Sequence, residues 1–164
     1  MLKFYIFAIS FTFSLSIVGL LVNNAIKGTS FYSKISNLNF IKSEAANRYL
    51  GVILFKKILI KSFWRHLNPT LKMAGRPDKA KLITLRNEMT SAEIGHIVAF
   101  ISTIIAVIIM QQMHFYQDSI LPILVCNIIF HVYPPLVQQY NKRRLDKVIN
   151  HFQSISVIRS IMKY

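Results

Sequence analysis

Residues 94–110 read IGHIVAFISTIIAVIIM, and this stretch decides the class of fold. It contains no Asp, Glu, Lys or Arg, and its length suits a helix that crosses the hydrocarbon core of a bilayer, which takes roughly 17–25 residues. Two further stretches have the same character, residues 4–22 (FYIFAISFTFSLSIVGLLV) and residues 119–137 (SILPILVCNIIFHVYPPLV). The sequence therefore predicts about three membrane-spanning helices.

The composition of the whole chain supports this prediction. Of the 164 residues 53% are hydrophobic, yet 20 Lys and Arg against 6 Asp and Glu give a formal net charge of +14. A soluble domain does not ordinarily combine so apolar a composition with so high a charge. We expect an all-α membrane protein that forms a single domain over residues 1–164, with spanning helices at about 4–22, 92–112 and 119–138.

The positions of the cations predict the orientation and the partners of the chain. Between the first two stretches lie thirteen of the 20 Lys and Arg, whereas residues 111–118 contain none. Because basic segments stay on the cytoplasmic side, the N-terminus is predicted outside a bacterial inner membrane and the tail, residues 139–164, inside. The cations flank apolar stretches, so anionic lipid headgroups are the predicted partners and nucleic acid is not.

A cleavable signal peptide is the rival interpretation of residues 4–22. No small-residue cleavage site follows them, and cleavage would translocate the most basic segment of the chain. A retained helix is the favoured interpretation.

Residues 50–67 (LGVILFKKILIKSFWRHL) predict an amphipathic helix in the membrane interface. Lys57, Lys61 and Arg65 recur every four residues and share one helical face, while apolar side chains share another. The alternative is a fourth span, which would bury lysines near mid-bilayer at about 2.5–3.5 kcal/mol each. A basic cytoplasmic helix is predicted for the tail.

Glu93 and His96 open the second predicted span, after a separate short helix predicted over residues 79–89. At i and i+3 they share a helical face, and a carboxylate beside a neutral imidazole suits general-base removal of a proton from a hydroxyl. The alternative for Glu93 is structural, because residues 90–93 (TSAE) fit a capping box in which Glu93 only closes the start of the helix.

His131 lies in the third stretch, and Pro134 and Pro135 after it are expected to break or kink the helix. Freed backbone carbonyls need polar partners, so a cavity lined by protein or water is predicted there. His131 is expected to face this cavity beside His96. A purely structural hydrogen bond from His131 to a neighbouring helix is the open alternative.

Residues 138–145 (QQYNKRRL) follow the third stretch. A cytoplasmic cluster with an aromatic anchor is one interpretation, and a site for a phosphate or a lipid headgroup is the other. No spacing of His or Cys indicates a metal site, and the motifs of soluble nucleotide-binding and hydrolytic enzymes are absent. The sequence therefore predicts no cofactor and no metal.

Three local patterns in register resemble a known family. They are Trp64-Arg65 followed by Leu67, Pro69 and Gly75; Ala92-Glu93-x-x-His96; and Gln138-x-Tyr140-Asn141-x-x-Arg144-Leu145. Over about residues 50–147 they resemble the glycosyl-4,4'-diaponeurosporenoate acyltransferase family, small bacterial membrane proteins assigned to the acylation of a glycosylated carotenoid. The chain departs from the family pattern at Ser91, Ile97, His131 and Gln139.

The resemblance implies an acyltransferase-like protein of carotenoid biosynthesis that moves a fatty acyl group from a donor to a hydroxyl of a glycolipid or carotenoid glycoside. It implies that His96 is the general base and that Glu93 orients it or stabilises its cation. The substrate- or headgroup-binding residues would be His131, Tyr140, Asn141, Arg144 and Trp64. The alternatives are a non-enzymatic accessory or scaffold subunit of a larger membrane complex, and a lipid-binding protein without chemistry.

Overall fold

The computed structural model describes residues 2–62 and 78–161, and every regular element in these ranges is helical. In chain order the α-helices are α1 (Leu2–Ile26), α2 (Ser30–Ile35), α3 (Glu44–Tyr49), α4 (Val52–Lys61), α5 (Lys79–Gln112), α6 (Ile120–Asn127) and α7 (Tyr133–Ile161). A 3-10 turn at Gln117–Ser119 precedes α6, and a π-helical segment at Ile128–Val132 joins α6 to α7. The all-α class is confirmed.

Three helical stretches are long and apolar enough to cross a membrane: Leu2–Ile26, Lys79–Gln112 and Gln117–Phe152. They contain 25, 34 and 36 residues. At about 1.5 Å per residue the longer two exceed the roughly 30 Å of a hydrocarbon core, so each extends beyond it. The chain is a multi-pass membrane protein, and the prediction of three spans is confirmed.

Residues 90–93 do not begin a helix. They lie in the interior of α5, which starts at Lys79, so both the separate helix over residues 79–89 and the capping-box interpretation of Glu93 are wrong. The hydroxyl of Thr90 instead donates to the carbonyl of Arg86 at 3.0 Å, as Thr does within a helix. The sequence from Lys79 onwards contains no proline before the third span, and nothing local stops the helix.

The third span is distorted before its prolines but does not end there. The backbone N–H of Tyr133 donates to the carbonyl of Ile128, a π-helical bond, and α7 then continues through Pro134 and Pro135 to Ile161. Proline lacks an N–H and its ring crowds the preceding turn, so a wider turn at this point accommodates it. Of the expected break or kink, the break does not occur, because the helix continues after the π-helical segment.

The chain divides into two compact units, and the single-domain organisation remains a prediction. The first unit comprises residues up to Phe40 together with Ser91–Leu136. Its apolar core contains Ala8, Val107, Met110 and Ile123. The buried residues of α1 are Ala8, Thr12, Gly19 and Asn23. Because most of these are small, the backbone of α1 can approach its neighbours closely.

The second unit comprises the described residues of Ile41–Thr90 and Val137–Tyr164. Within it, Nε of Arg86 on α5 donates to the carboxylate of Asp146 on α7 at 2.6 Å. The pair is partly exposed, so we assign it a modest share of the stability.

The predicted interfacial helix is present as α4, Val52–Lys61, which is shorter than the predicted range. Residues 63–67 of that range lie outside the described residues. Lys57 and Lys61 are exposed, whereas Val52 is fully buried. The location of α4 in the membrane interface stays a prediction.

Candidate functional site

Two histidines from different helices face each other in the first unit. Nδ1 of His96, on α5, lies 3.4 Å from Nδ1 of His131 in the π-helical segment. His131 is 1% exposed, and its Nε2 lies 3.3 Å from the carbonyl oxygen of Thr12 on α1. The predicted position of His131 beside His96 is confirmed, and the hydrogen bond to a neighbouring helix is also present.

These contacts favour one arrangement of the protons on two neutral rings, which also hydrogen-bond the backbone of Phe130. A carbonyl oxygen only accepts, so His131 donates to Thr12 from Nε2. A neutral imidazole has a single N–H, so Nδ1 of His131 accepts and His96 donates to it from Nδ1. In this arrangement Nε2 of His96 keeps its lone pair, which is the state that a general base requires.

Glu93 lies one turn before His96 on α5 and is completely buried. Close to it in the first unit, the side-chain amide of Asn23 donates to the hydroxyl of Ser91 at 2.7 Å, and Tyr32 also hydrogen-bonds Ser91. Burial raises the pKa of Tyr32 above 10.0; the bond with Ser91 opposes this shift and the charge of Glu93 adds to it. Glu93 is thus a buried carboxylate that acts electrostatically on Tyr32, and its predicted role in orienting His96 stays a prediction.

A cluster of cations in the second unit surrounds three of the predicted headgroup-binding residues. Nζ of Lys56, on α4, donates to Oδ1 of Asn141 at 2.7 Å and lies 5.0 Å from the centre of the Tyr140 ring. The guanidinium carbons of Arg143 and Arg144 each lie 5.8 Å from the same ring centre. The structure therefore brings Tyr140, Asn141 and Arg144 together, and their predicted role in binding stays a prediction.

Lys56 is the member of this cluster that sequence reasoning missed. It follows the buried Val52 by one helical turn and so lies on the packed face of α4, whereas Lys57 is exposed. Burial, and then the charge of Arg144, lowers the pKa of Lys56 below 10.5. Trp64, the remaining predicted binding residue, lies outside the described residues.

Comparison with known proteins identifies the family. Residues 28–151 match the family described as glycosyl-4,4'-diaponeurosporenoate acyltransferase, which is most of the 164-residue chain. The chain belongs to this family. The match spans the His96–His131 pair and also the cluster around Tyr140. No curated protein and no solved structure matched the chain.

In this member of the glycosyl-4,4'-diaponeurosporenoate acyltransferase family, substitution can separate the two hydrogen bonds of His131. Asn places its amide oxygen near the position of Nδ1 and keeps an acceptor for His96, whereas Gln reaches the position of Nε2 and keeps a donor for Thr12. We expect His131→Asn to preserve the Nδ1–H form of His96. His131→Gln is expected to return most of the His96 population to the Nε2–H form that free histidine prefers.

The measurement is ¹⁵N NMR of histidine-labelled protein in detergent micelles, which reports the tautomer of each ring. His151, exposed on α7, serves as the internal control whose signals stay unchanged in both variants. If His96 shows the same tautomer in both variants, His131 does not orient it.

Proposed function

We propose that this protein is an acyltransferase that moves a fatty acyl group from an acyl thioester to a hydroxyl of a glycolipid or carotenoid glycoside. The observation that carries the proposal is the hydrogen-bonded series from Thr12 through His131 to His96. It leaves a proton acceptor, Nε2 of His96, on an apolar membrane helix. Membership of the family supplies the class of reaction.

His96 acts as the general base. As the acceptor's hydroxyl oxygen bonds to the acyl carbonyl carbon, the hydroxyl proton passes to Nε2 of His96. The tetrahedral intermediate then collapses and the bond between the carbonyl carbon and the thioester sulfur breaks. The departing sulfur takes the proton from His96, so that the products are an ester and a thiol. Throughout these steps Nδ1–H of His96 donates to His131, which holds the ring in position.

The remaining predicted residues have supporting roles in this proposal. Glu93, buried on the same helix, stabilises the imidazolium that forms on His96. Tyr140, Asn141, Arg144 and Trp64 bind the polar part of a substrate. The contact of His131 with His96 supports a positioning role for this residue besides the substrate-binding role predicted from the sequence.

We infer further that the N-terminus lies outside the cell membrane and the C-terminus inside it. The support is the thirteen cations between the first two spans, which insertion keeps in the cytoplasm. A reporter enzyme that is active only outside the cytoplasm, fused to the C-terminus, is expected to stay inactive. Activity of this fusion would show that the C-terminus lies outside, which is the reverse of the inferred orientation.

The test of the activity is transfer by the purified protein in detergent. Labelled fatty acyl thioesters are supplied with a glycolipid or a carotenoid glycoside, and ester-linked label is measured in the lipid extract. We expect label in the acceptor only when the protein and free acceptor hydroxyls are both present, with an acceptor whose hydroxyls are all methylated as the matched control. Absence of transfer with every thioester and acceptor would overturn the proposal and favour an accessory subunit.

A further inference from the structure

We propose that Lys56, Asn141 and Arg144 form a binding site for a phosphate group carried by a substrate or a lipid. The site lies entirely within the second unit, between α4 and α7. The inference deepens the proposed function, and it rests on that function if the phosphate belongs to a substrate. Phosphate binding itself can be measured without acyl transfer.

The groups that converge here are mainly hydrogen-bond donors. Nζ of Lys56 uses one N–H on the side-chain oxygen of Asn141 at 2.7 Å and has two others. The amide nitrogen of Asn141 and the guanidinium of Arg144 add further donors. Phosphate oxygens are strong acceptors, and the planar fork of a guanidinium matches their geometry. A phosphate therefore satisfies the donors of this cluster better than a neutral ligand.

The positive charges of the cluster also favour the binding of an anion. Lys56 and Arg144 both lie against the ring of Tyr140, and burial together with the charge of Arg144 lowers the pKa of Lys56. Asp146, the acidic residue closest in sequence to Arg144, is bound by Arg86 at 2.6 Å. Lys56, which is half-buried, and Arg144, which is exposed, repel each other, whereas a bound anion would attract both.

The packed position of Lys56 separates this site from an ordinary solvated basic face. Its neighbour Lys57 carries the same charge on the same helix but is exposed. A nonspecific basic surface would use both lysines alike, since long-range attraction depends on total charge. A built phosphate site uses Lys56 and not Lys57. The pair therefore supplies a matched comparison in which size, charge and helix are the same.

The experiment measures binding of inorganic pyrophosphate by calorimetry, to protein held in a maltoside detergent that contains no phosphate. We expect Lys56→Met and Arg144→Met each to weaken binding about tenfold or more, as the loss of a charge-assisted hydrogen bond does. Lys57→Met is expected to change the affinity less than about twofold, in keeping with an exposed charge. Equal effects of Lys56→Met and Lys57→Met, or absence of pyrophosphate binding to the unaltered protein, would overturn the site.

Asn141→Asp tests the site independently, in case the Lys56→Met variant does not fold. It keeps an acceptor for Lys56, and so preserves the contact, but places a carboxylate where the phosphate would bind. We expect it to abolish pyrophosphate binding, whereas Asn150→Asp, on the exposed face of α7, is expected to leave binding nearly unchanged. Retained binding in Asn141→Asp would contradict the proposal.

Two further arms identify the source of the phosphate. If the natural ligand is a lipid headgroup, phosphatidic acid in mixed micelles competes with pyrophosphate and coenzyme A binds no more tightly than pyrophosphate. If it belongs to the acyl donor, coenzyme A binds more tightly and depends on Lys56. Either result supports the phosphate site. Acyl transfer without phosphate binding would overturn this inference alone, and phosphate binding without acyl transfer would overturn the proposed function alone.

Discussion

His96→Ala is expected to slow acyl transfer by about 10²–10⁴-fold, the range that a positioned general base contributes. The hydroxyl of the acceptor is a weak nucleophile until its proton is removed, and Nε2 of His96 is the proton acceptor in the proposed function. The KM for the acyl donor is expected to change little, because the loss concerns a proton transfer in the transition state. The measurement is the initial rate of ester formation over a range of donor concentrations.

Two variants control this experiment. His151→Ala removes an exposed imidazole from α7 and is expected to leave the rate within about twofold, because surface substitutions away from a site change little. His131→Leu keeps His96 but removes the acceptor that orients it, and an intermediate loss of about 10–100-fold is expected, as for other residues that orient a reacting group. An undiminished rate in His96→Ala would show that another group takes the proton.

The spans could be predicted from the sequence, but the ends of the helices could not. Uncharged apolar stretches identify the spans because charged residues are costly in lipid. Outside the lipid this rule does not locate the end of a helix, and α5 continues back to Lys79 through residues 90–93, which fit a capping box. A local motif of Thr and Glu is compatible both with a helix start and with a helix interior, and only the continuous backbone bonding decides between them.

The histidine pair shows which contacts of polar residues in membrane spans can be predicted from the sequence. That His96 and His131 meet followed from their similar depth in two spans. The third partner, Thr12, could not be predicted, because its contribution is a backbone carbonyl and every residue has one. The proline pair indicated a distortion, but its form as a π-helical segment depends on the packing around it.

In the second unit the sequence indicated a basic cluster but not which lysine of α4 joins it. Lys56 and Lys57 are chemically identical and adjacent, and they are distinguished by the face of the helix that packs. That face is set by Val52, one turn before Lys56, which is fully buried. Amphipathic periodicity could have indicated this face, but the many cations of α4 obscured the distinction.

The close approach of α1 and α5 in the first unit leads to the largest expected change in stability. A side chain on Gly19 would overlap the backbone carbonyl of Gly95, and its Cβ would lie 3.1 Å from the Cβ of Ala99. A backbone carbonyl cannot rotate away as a flexible side chain can, so the helices must separate. Gly95 and Ala99 form a small-xxx-small pattern on α5, the sequence signal for such an approach in membranes.

Gly19→Ala is therefore expected to lower the free energy of unfolding by about 1–3 kcal/mol, the usual cost of forcing extra atoms into a packed contact. Gly95→Ala is the matched control at the same crossing, because its Cβ would lie 3.7 Å from the carbonyl oxygen of Gly19, an ordinary contact. There the higher helix propensity of alanine is expected to leave stability unchanged or to raise it by up to about 1 kcal/mol. Equilibrium unfolding in mixed micelles with increasing SDS measures both variants. Since the two substitutions add the same methyl group to the same pair of helices, equal effects would mean that the helices do not cross at these glycines, whereas opposite effects require the asymmetric contact that the structure shows.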